Sequence, residues 1–358
     1  LMPALTQEEN YALTERNVTM ADILFATEGA GGAKMFLNPT HEEIVTPLVQ
    51  KFVFSYRDLP LAVYQIQNKF RNEARAKSGL LRDREFNMKD LYSFHASEEN
   101  LNIFYEKAKE TYHKIYFRLG IGDITYLTFA SGGTFSRYSH EFQTVAEVGE
   151  DLIYICEKCR VAVNKEITNE HNFCPECSNP DLVVKKAIEV GNIFKQKTKF
   201  SSAFKFNYTD EKGVEHPVEM GAYGIGPSRV MGTLVEVFHD EKGIIWPEAI
   251  APYQIHLISL GTEEAVKLEA EKYYNALTKA GVEVLFDERE KATTGEKFAD
   301  ADLIGIPTRV VISKRSLAKN SAEVKKRNET EAKLVDLNEV MKIIGKKSSV
   351  AQDFSPDK

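Results

Sequence analysis

Cysteine is scarce in this chain: 358 residues contain four, all within "CEKCRVAVNKEITNEHNFCPEC", Cys156 to Cys177. With no thiol elsewhere, a disulfide framework running through the fold is excluded. Long apolar runs are missing too. No stretch approaches the ~18 apolar residues of a spanning helix, and no basic start leads into an apolar segment, so neither a membrane span nor a signal peptide is expected. The expected location is cytoplasmic, a reducing compartment that suits paired thiols. An excess of positive charge is also lacking, since 46 Lys and Arg against 53 Asp and Glu leave a net −7. That balance disfavours a surface-wide nucleic-acid footprint. It leaves room for a local one: "KFRNEARAKSGLLRDR", Lys69 to Arg84, has six basic and two acidic residues.

The cysteines form two CxxC pairs with fourteen residues between them. At this spacing four thiolates close a tetrahedral zinc site through Cys156, Cys159, Cys174 and Cys177. Disulfide pairs and unliganded buried thiols are the competing readings. Elsewhere "LAVYQIQNKFRNE" alternates as a strand ending near Phe70, and "REFNMKDLYSF" returns as a second strand, giving an antiparallel hairpin with a long basic tip. Glu98 to Leu119 has helical spacing, opened by Ser97 as N-cap. "HEFQTVAEV", "DLIYI" and "LVVKKAIEVGNIF" add strands. "HPVEMGAYGIGPSRVMGTLVEVF" reads as a strand, a Gly-rich turn and a helix. A mostly antiparallel sheet flanked by helices is therefore expected for residues 1–249, with the cysteine knuckle at 154–179. Past Pro247 and Pro252 the pattern switches to alternating strand and helix. A small α/β domain is expected over 250–346, closing with a helix near Leu337 to Ile344, and 347–358 reads as a disordered tail.

The chemistry concentrates in two places. An arginine projecting from a sheet holds a phosphate and a carboxylate together against their repulsion, and Arg71 is placed for that. Nearby Glu73 suits an adenine amino group, and Phe86 suits stacking on its ring. A salt-bridged surface hairpin is the competing reading for any one of these. The second place is "GAYGIGPSRV", where glycines including Gly224 and Gly226 permit close backbone approach and Arg229 opens the next helix. Two arginines on an antiparallel sheet suit the two ends of a bent triphosphate and are the signature of a class II aminoacyl-tRNA synthetase.

The sequence resembles the bacterial-type prolyl-tRNA synthetases over nearly its whole length. The resemblance is carried by "LMPAL", "NPTHEE", "YQIQNKFRNEAR", "REFNMKDLYSFH", "SHEF", "IEVGNIF", "MGAYGIGPSRV", "GIIWPEAIAPYQI" and "GVEVLFDER…FADADLIGIP". It implies that Thr40 and Glu42 receive the prolyl amine, and that Arg71 holds the carboxylate and α-phosphate. Arg229 would hold the γ-phosphate and the adenine face, while Glu73, Arg82 and Phe86 frame the adenine. Glu189, Gly191 and Phe194 would floor and wall the amino-acid pocket, with His140 and Glu141 of "SHEF" as weaker candidates beside a structural role. Where Asn192 stands, relatives usually have His. Arg75 would touch the tRNA acceptor end, and Asp287, Arg289, Lys297 and Phe298 the anticodon bases. The implied substrates are proline, ATP with Mg²⁺, and tRNA(Pro), with a homodimer as the implied assembly.

Two departures from the family accompany these matches. Natural relatives are expected to carry a segment ahead of "LMPAL". Many also hold a large editing domain in the interval where this chain has only the cysteine knuckle, so persistence of alanyl-tRNA is expected. A non-catalytic relative of the synthetases, or a synthetase for threonine or glycine on the same scaffold, are the alternative readings.

Overall fold

A computed structural model describes residues 1–336, 339 and 340, apart from Lys77 and His171. Its contacts divide into one unit of Leu1–Thr233 and a second from Leu234 onward. In the first unit, β1 (Leu5–Gln7), β2 (Phe25–Glu28) and β3 (Lys34–Leu37) form a small antiparallel sheet in the order β1-β3-β2. α1 (Glu8–Leu13) packs on this sheet, and α2 (Arg16–Thr19) and α3 (Glu42–Val49) pack on α1.

The large sheet begins with the expected hairpin, β4 (Leu61–Phe70) and β5 (Glu85–His95), paired from Leu61 opposite Phe94 to Phe70 opposite Glu85. α4 (Glu98–Arg118) starts where the Ser97 hydroxyl accepts from the Asn100 amide. It buries Leu101, Tyr105, Tyr112 and Tyr116, a spacing that keeps one face on the sheet. The strands β6 (Thr125–Ser131), β7 (Tyr138–Val145), β8 (Asp151–Cys156), β9 (Val161–Asn164) and β10 (Val183–Lys197) follow. After α5 (Lys199–Ala203) and the hairpin β11 (Asn207–Thr209) and β12 (Glu215–Pro217), the chain returns as β13 (Glu219–Ile225) and α6 (Pro227–Val237). The order is β4-β5-β13-β10-β7-β6-β9-β8, and all pairs are antiparallel except β6 with β9. This is the expected antiparallel sheet with helices.

In the second unit, β14 (His239–Asp240) and β15 (Gly243–Ile244) form a short hairpin. Then come β16 (Ile255–Leu260), α7 (Glu264–Lys279), β17 (Val284–Asp287), α8 (Thr294–Ile304) and β18 (Thr308–Ser313). α9 (Lys314–Leu317), β19 (Ser321–Lys326) and β20 (Lys333–Asp336) complete it. The sheet order β17-β16-β18-β19-β20 is parallel across the first three strands and antiparallel beyond. Apolar alternation in β16 and β18 and the inner face of α7 build its core around Leu257, Leu277 and Val310. The α/β alternation matches the sequence expectation, and the antiparallel pair β19–β20 is an addition to it. Residues just before 250 belong to this unit by contact: the Trp246 indole donates to Ile304 O at 3.0 Å, and Arg327 grips Asp240 at 2.6 and 2.8 Å. The helix expected near 337–344 and the tail at 347–358 lie outside the described residues, apart from the helical Glu339 and Val340. Among the described residues no helix is long and apolar enough to cross a membrane.

Candidate active site

A cavity of about 290 Å³ opens on the large sheet of the first unit. The two-residue period of β5 brings Phe86, Met88, Asp90 and Tyr92 to it, while Lys89 points the other way and donates to the Tyr112 hydroxyl at 2.8 Å. On β10 the lining residues Glu189, Asn192 and Phe194 break strict alternation because a bulge falls between Glu189 and Gly191. Gly191 has to be glycine, since a Cβ there would collide with the Tyr116 hydroxyl of α4. Gly224 and Gly226 line the cavity at the end of β13, and the first turn of α6 delivers Arg229.

At one end two cations face the same space. Arg71 lies over the Phe86 ring at 5.0 Å, and its Nε is buried with no hydrogen-bond partner among the described residues. Burial first, and then the charge of Arg229, hold the Arg71 guanidinium below its ordinary pKa. Arg229 is tethered through Nε to Leu81 O at 2.8 Å and through Nη1 to Glu189, at 3.3 Å to the carbonyl and 3.4 Å to the carboxylate. Two cations that repel one another across a cavity are an anion site in waiting. Glu73 and Arg82 flank it, 3.6 Å apart, with Arg82 also 2.8 Å from Glu150. Arg75 is exposed on the loop between β4 and β5.

The lining also includes Thr40, Glu42, Phe135 and Phe194, the two rings tilted against each other at 4.6 Å. Glu42 is fixed on both oxygens: Oε1 accepts from the Gln196 amide at 3.0 Å and Oε2 from Arg16 at 3.2 Å. Asp90 joins the wall, held by the buried Lys69 at 2.8 Å and Gln65 at 3.1 Å. His140 is the departure from expectation. Its Nδ1 meets the Tyr105 hydroxyl of α4 at 2.8 Å and its ring packs on Phe129, whereas its neighbour Glu141 lines the cavity. Adjacent strand residues face opposite sides, so the two could not both point inward. Burial, with Glu189 beside it, pushes the Glu141 carboxyl up to about 8. It is held by Gln143 at 2.9 Å, Asn164 at 3.0 Å and Asn192 at 3.4 Å.

Asn164 comes from β9, on the segment that carries the four cysteines. Their thiols are free, and all four Sγ atoms lie within 4.8 Å of one another. Thiolates at about 2.3 Å from a central zinc stand roughly 3.8 Å apart, and Cys156 Sγ is 3.7 Å from Cys177 Sγ. That separation is far beyond a disulfide bond of about 2 Å. The two halves are built alike. Arg160 and Ser178, each following the second cysteine of a pair, take φ of 57° and donate their amides to Cys156 O and Cys174 O, both at 2.8 Å. The donor set and spacing fit a tetrahedral thiolate metal site.

In the second unit the expected quartet gathers at the carboxyl ends of β16 and β17. Arg289 clasps Asp287 at 3.0 and 2.8 Å and reaches Asp300 at 2.7 Å, and Phe298 lies under Arg309 at 4.3 Å. Lys297 differs from expectation: it is buried, with Nζ donating to Ser259 O at 2.8 Å and Asp287 O at 3.3 Å. Its ammonium satisfies strand ends rather than facing solvent.

Paired arginines over an antiparallel sheet, with a separate α/β unit following, define a class II aminoacyl-tRNA synthetase. Residues 25–238 match the tRNA synthetase class II core domain (G, H, P, S and T), and residues 250–347 match an anticodon binding domain. A proline–tRNA ligase of Dehalococcoides mccartyi is 32% identical over 489 aligned positions, covering 95% of this chain and 85% of the relative. Those positions outnumber the 358 residues here, so that relative has stretches without a counterpart. A proline–tRNA ligase of Wolbachia pipientis wMel is 40% identical over 320, covering 86% of this chain and 74% of the relative. The solved prolyl-tRNA synthetase of Cryptosporidium parvum, complexed with L-proline and AMP, shares the fold at a TM-score of 0.75 and 19% identity, over 99% of this chain and 68% of that one. The chain belongs to the proline–tRNA ligase family.

Proposed function

We propose that the chain activates proline with ATP and transfers it to the 3′ end of tRNA(Pro). The carrying observation is the Arg71 guanidinium, its Nε buried and without a hydrogen-bond partner among the described residues, facing the same cavity as Arg229. In the first step a proline carboxylate oxygen attacks the α-phosphorus of MgATP, the bond to pyrophosphate breaks, and prolyl-adenylate forms. Arg71 bridges the attacking carboxylate and the α-phosphate, and Arg229 takes the departing phosphates. Glu73, Arg82 and Phe86 frame the adenine, while Thr40 and Glu42 receive the prolyl ammonium between the walls of Phe194 and Gly191. In the second step a terminal tRNA hydroxyl attacks the prolyl carbonyl and AMP leaves. Arg75 is assigned to the acceptor end, and Arg289 and Phe298 with Asp287 to the anticodon.

The four cysteines hold a zinc ion whose role is structural, since all four positions are filled by thiolate. A homodimer is the assembly that the family relationship implies. The enzyme works in the cytoplasm and leaves alanyl-tRNA intact, alanine being refused only by lost ring contacts, about 1–3 kcal/mol. ATP–pyrophosphate exchange across proline, threonine, glycine and alanine tests the reading. Strong exchange with proline supports it, and preference for threonine or glycine overturns it.

A further inference from the structure

Arg16 is fully buried in the first unit, on a four-residue helix that begins after Glu15 takes the left-handed φ of 59°. Its side chain joins groups distant in sequence. Nη2 donates to Thr40 Oγ1 at 2.8 Å, and Nη1 reaches Glu42 Oε2 at 3.2 Å and both Glu43 oxygens at 3.0 and 2.9 Å. Nε reaches Met20 Sδ at 2.9 Å, and the guanidinium lies 4.7 Å from the Phe135 ring and 5.6 Å from that of Phe200. Thr40, Glu42 and Phe135 line the cavity, and Arg16 does not.

We propose that Arg16 is a positioning residue for the amino-acid end of the cavity, holding Thr40 and Glu42 in the geometry that receives the substrate ammonium, with Glu43 keeping the cluster negative. The inference rests on the proposed activation of proline. One cation meets two carboxylates here. Burial pushes the Glu43 carboxyl up. Yet both of its oxygens accept from Arg16 and one also accepts from the Thr14 hydroxyl at 2.8 Å, a setting of donors that suits the ionised form. Arg16 and Glu43 then cancel, and Glu42 presents its charge to the cavity. A lone lysine could not replace the fork, because a point ammonium does not span Thr40 and two carboxylates in fixed directions. Arg16 also fixes the Thr40 hydroxyl as an acceptor from behind, which directs its proton away from the guanidinium.

The test is pyrophosphate exchange with the full chain and its Arg16→Lys and Glu43→Gln variants, measuring KM for proline and for ATP separately. Each variant should raise KM for proline about 10- to 100-fold, the loss of one charge-assisted contact, and leave KM for ATP within about twofold. Glu43→Gln keeps shape and removes charge, so it remains informative if Arg16→Lys folds poorly. Competition by tetrahydro-2-furoate, the same ring with oxygen in place of the amine, should also come closer to proline in Glu43→Gln. Equal rises in both constants, unchanged constants, or unchanged discrimination would overturn the positioning role while proline activation by the parent stands. A parent without proline-dependent exchange overturns the functional reading and this inference together.

Discussion

Replacing Arg71 with methionine should separate function from stability. The wild-type guanidinium is held below its ordinary pKa by burial and by Arg229, and its Nε has no partner among the described residues. The folded state therefore bears a cost for this charge until an anion arrives. Removing it relieves repulsion with Arg229 and leaves an apolar stem near Phe86, so the melting temperature without substrate should stay at the parental value or rise. The chemistry should move the opposite way. One preorganised hydrogen-bond donor contributes about 2.7–4 kcal/mol to a developing charge, so exchange should fall roughly 10²- to 10³-fold. Differential scanning fluorimetry and proline-dependent pyrophosphate exchange on the same preparation read both quantities. Exchange near the parental rate would make Arg71 dispensable for the chemistry, and a clear drop in melting temperature would make it a structural residue; either refutes the reasoning.

Three further outcomes are expected. Metal analysis should find about one zinc per chain, and chelation or Cys174→Ser should lower the melting temperature before it changes KM for ATP. Arg75→Ala should weaken aminoacylation of tRNA and leave exchange near the parental rate, since the side chain sits on an exposed loop; equal loss in both assays would put it in the adenylate site. Glu141, raised from its ordinary 4.5 to about 8, binds more protons in the folded state across that interval, so its contribution to stability declines as pH rises through it. Glu141→Gln should flatten that decline in urea unfolding between about pH 5 and pH 8, and a parallel curve for the variant would contradict the assignment.

Much of the architecture was legible because its causes are local. Period-two alternation in "YQIQNKF" and "EFNMKDLYSF" placed β4 and β5 to within a few residues, and Ser97 marked the start of α4. The same alternation, counted on from Phe86, reaches Asp90, a cavity residue the motifs did not name. β19 and β20 were missed for a physical reason. "SAEVKK" and "KLVD" carry few apolar residues, and their place in the sheet comes from β19 pairing with β18 and β20 with β19 rather than from any pattern of their own.

The site divides along the same line. Arg71, Glu73 and Phe86 lie close together along the chain on one hairpin, and Arg229 follows a Gly-rich turn, so a short window of sequence states the arrangement. Arg16 has no such window. It stands in the polar run "LTERNVT", and the oxygens it grips belong to residues 24 to 27 positions away. Only the fold brings it between Thr40 and the two carboxylates. Arginine is rarely fully buried unless paired, and here that packing buries it completely. Lys297 shows the converse, since the family resemblance implied an anticodon contact for it and the fold turns its ammonium onto two strand carbonyls. Charge in a sequence announces that a partner is needed, and tertiary structure decides whether that partner is substrate, solvent or the protein's own backbone.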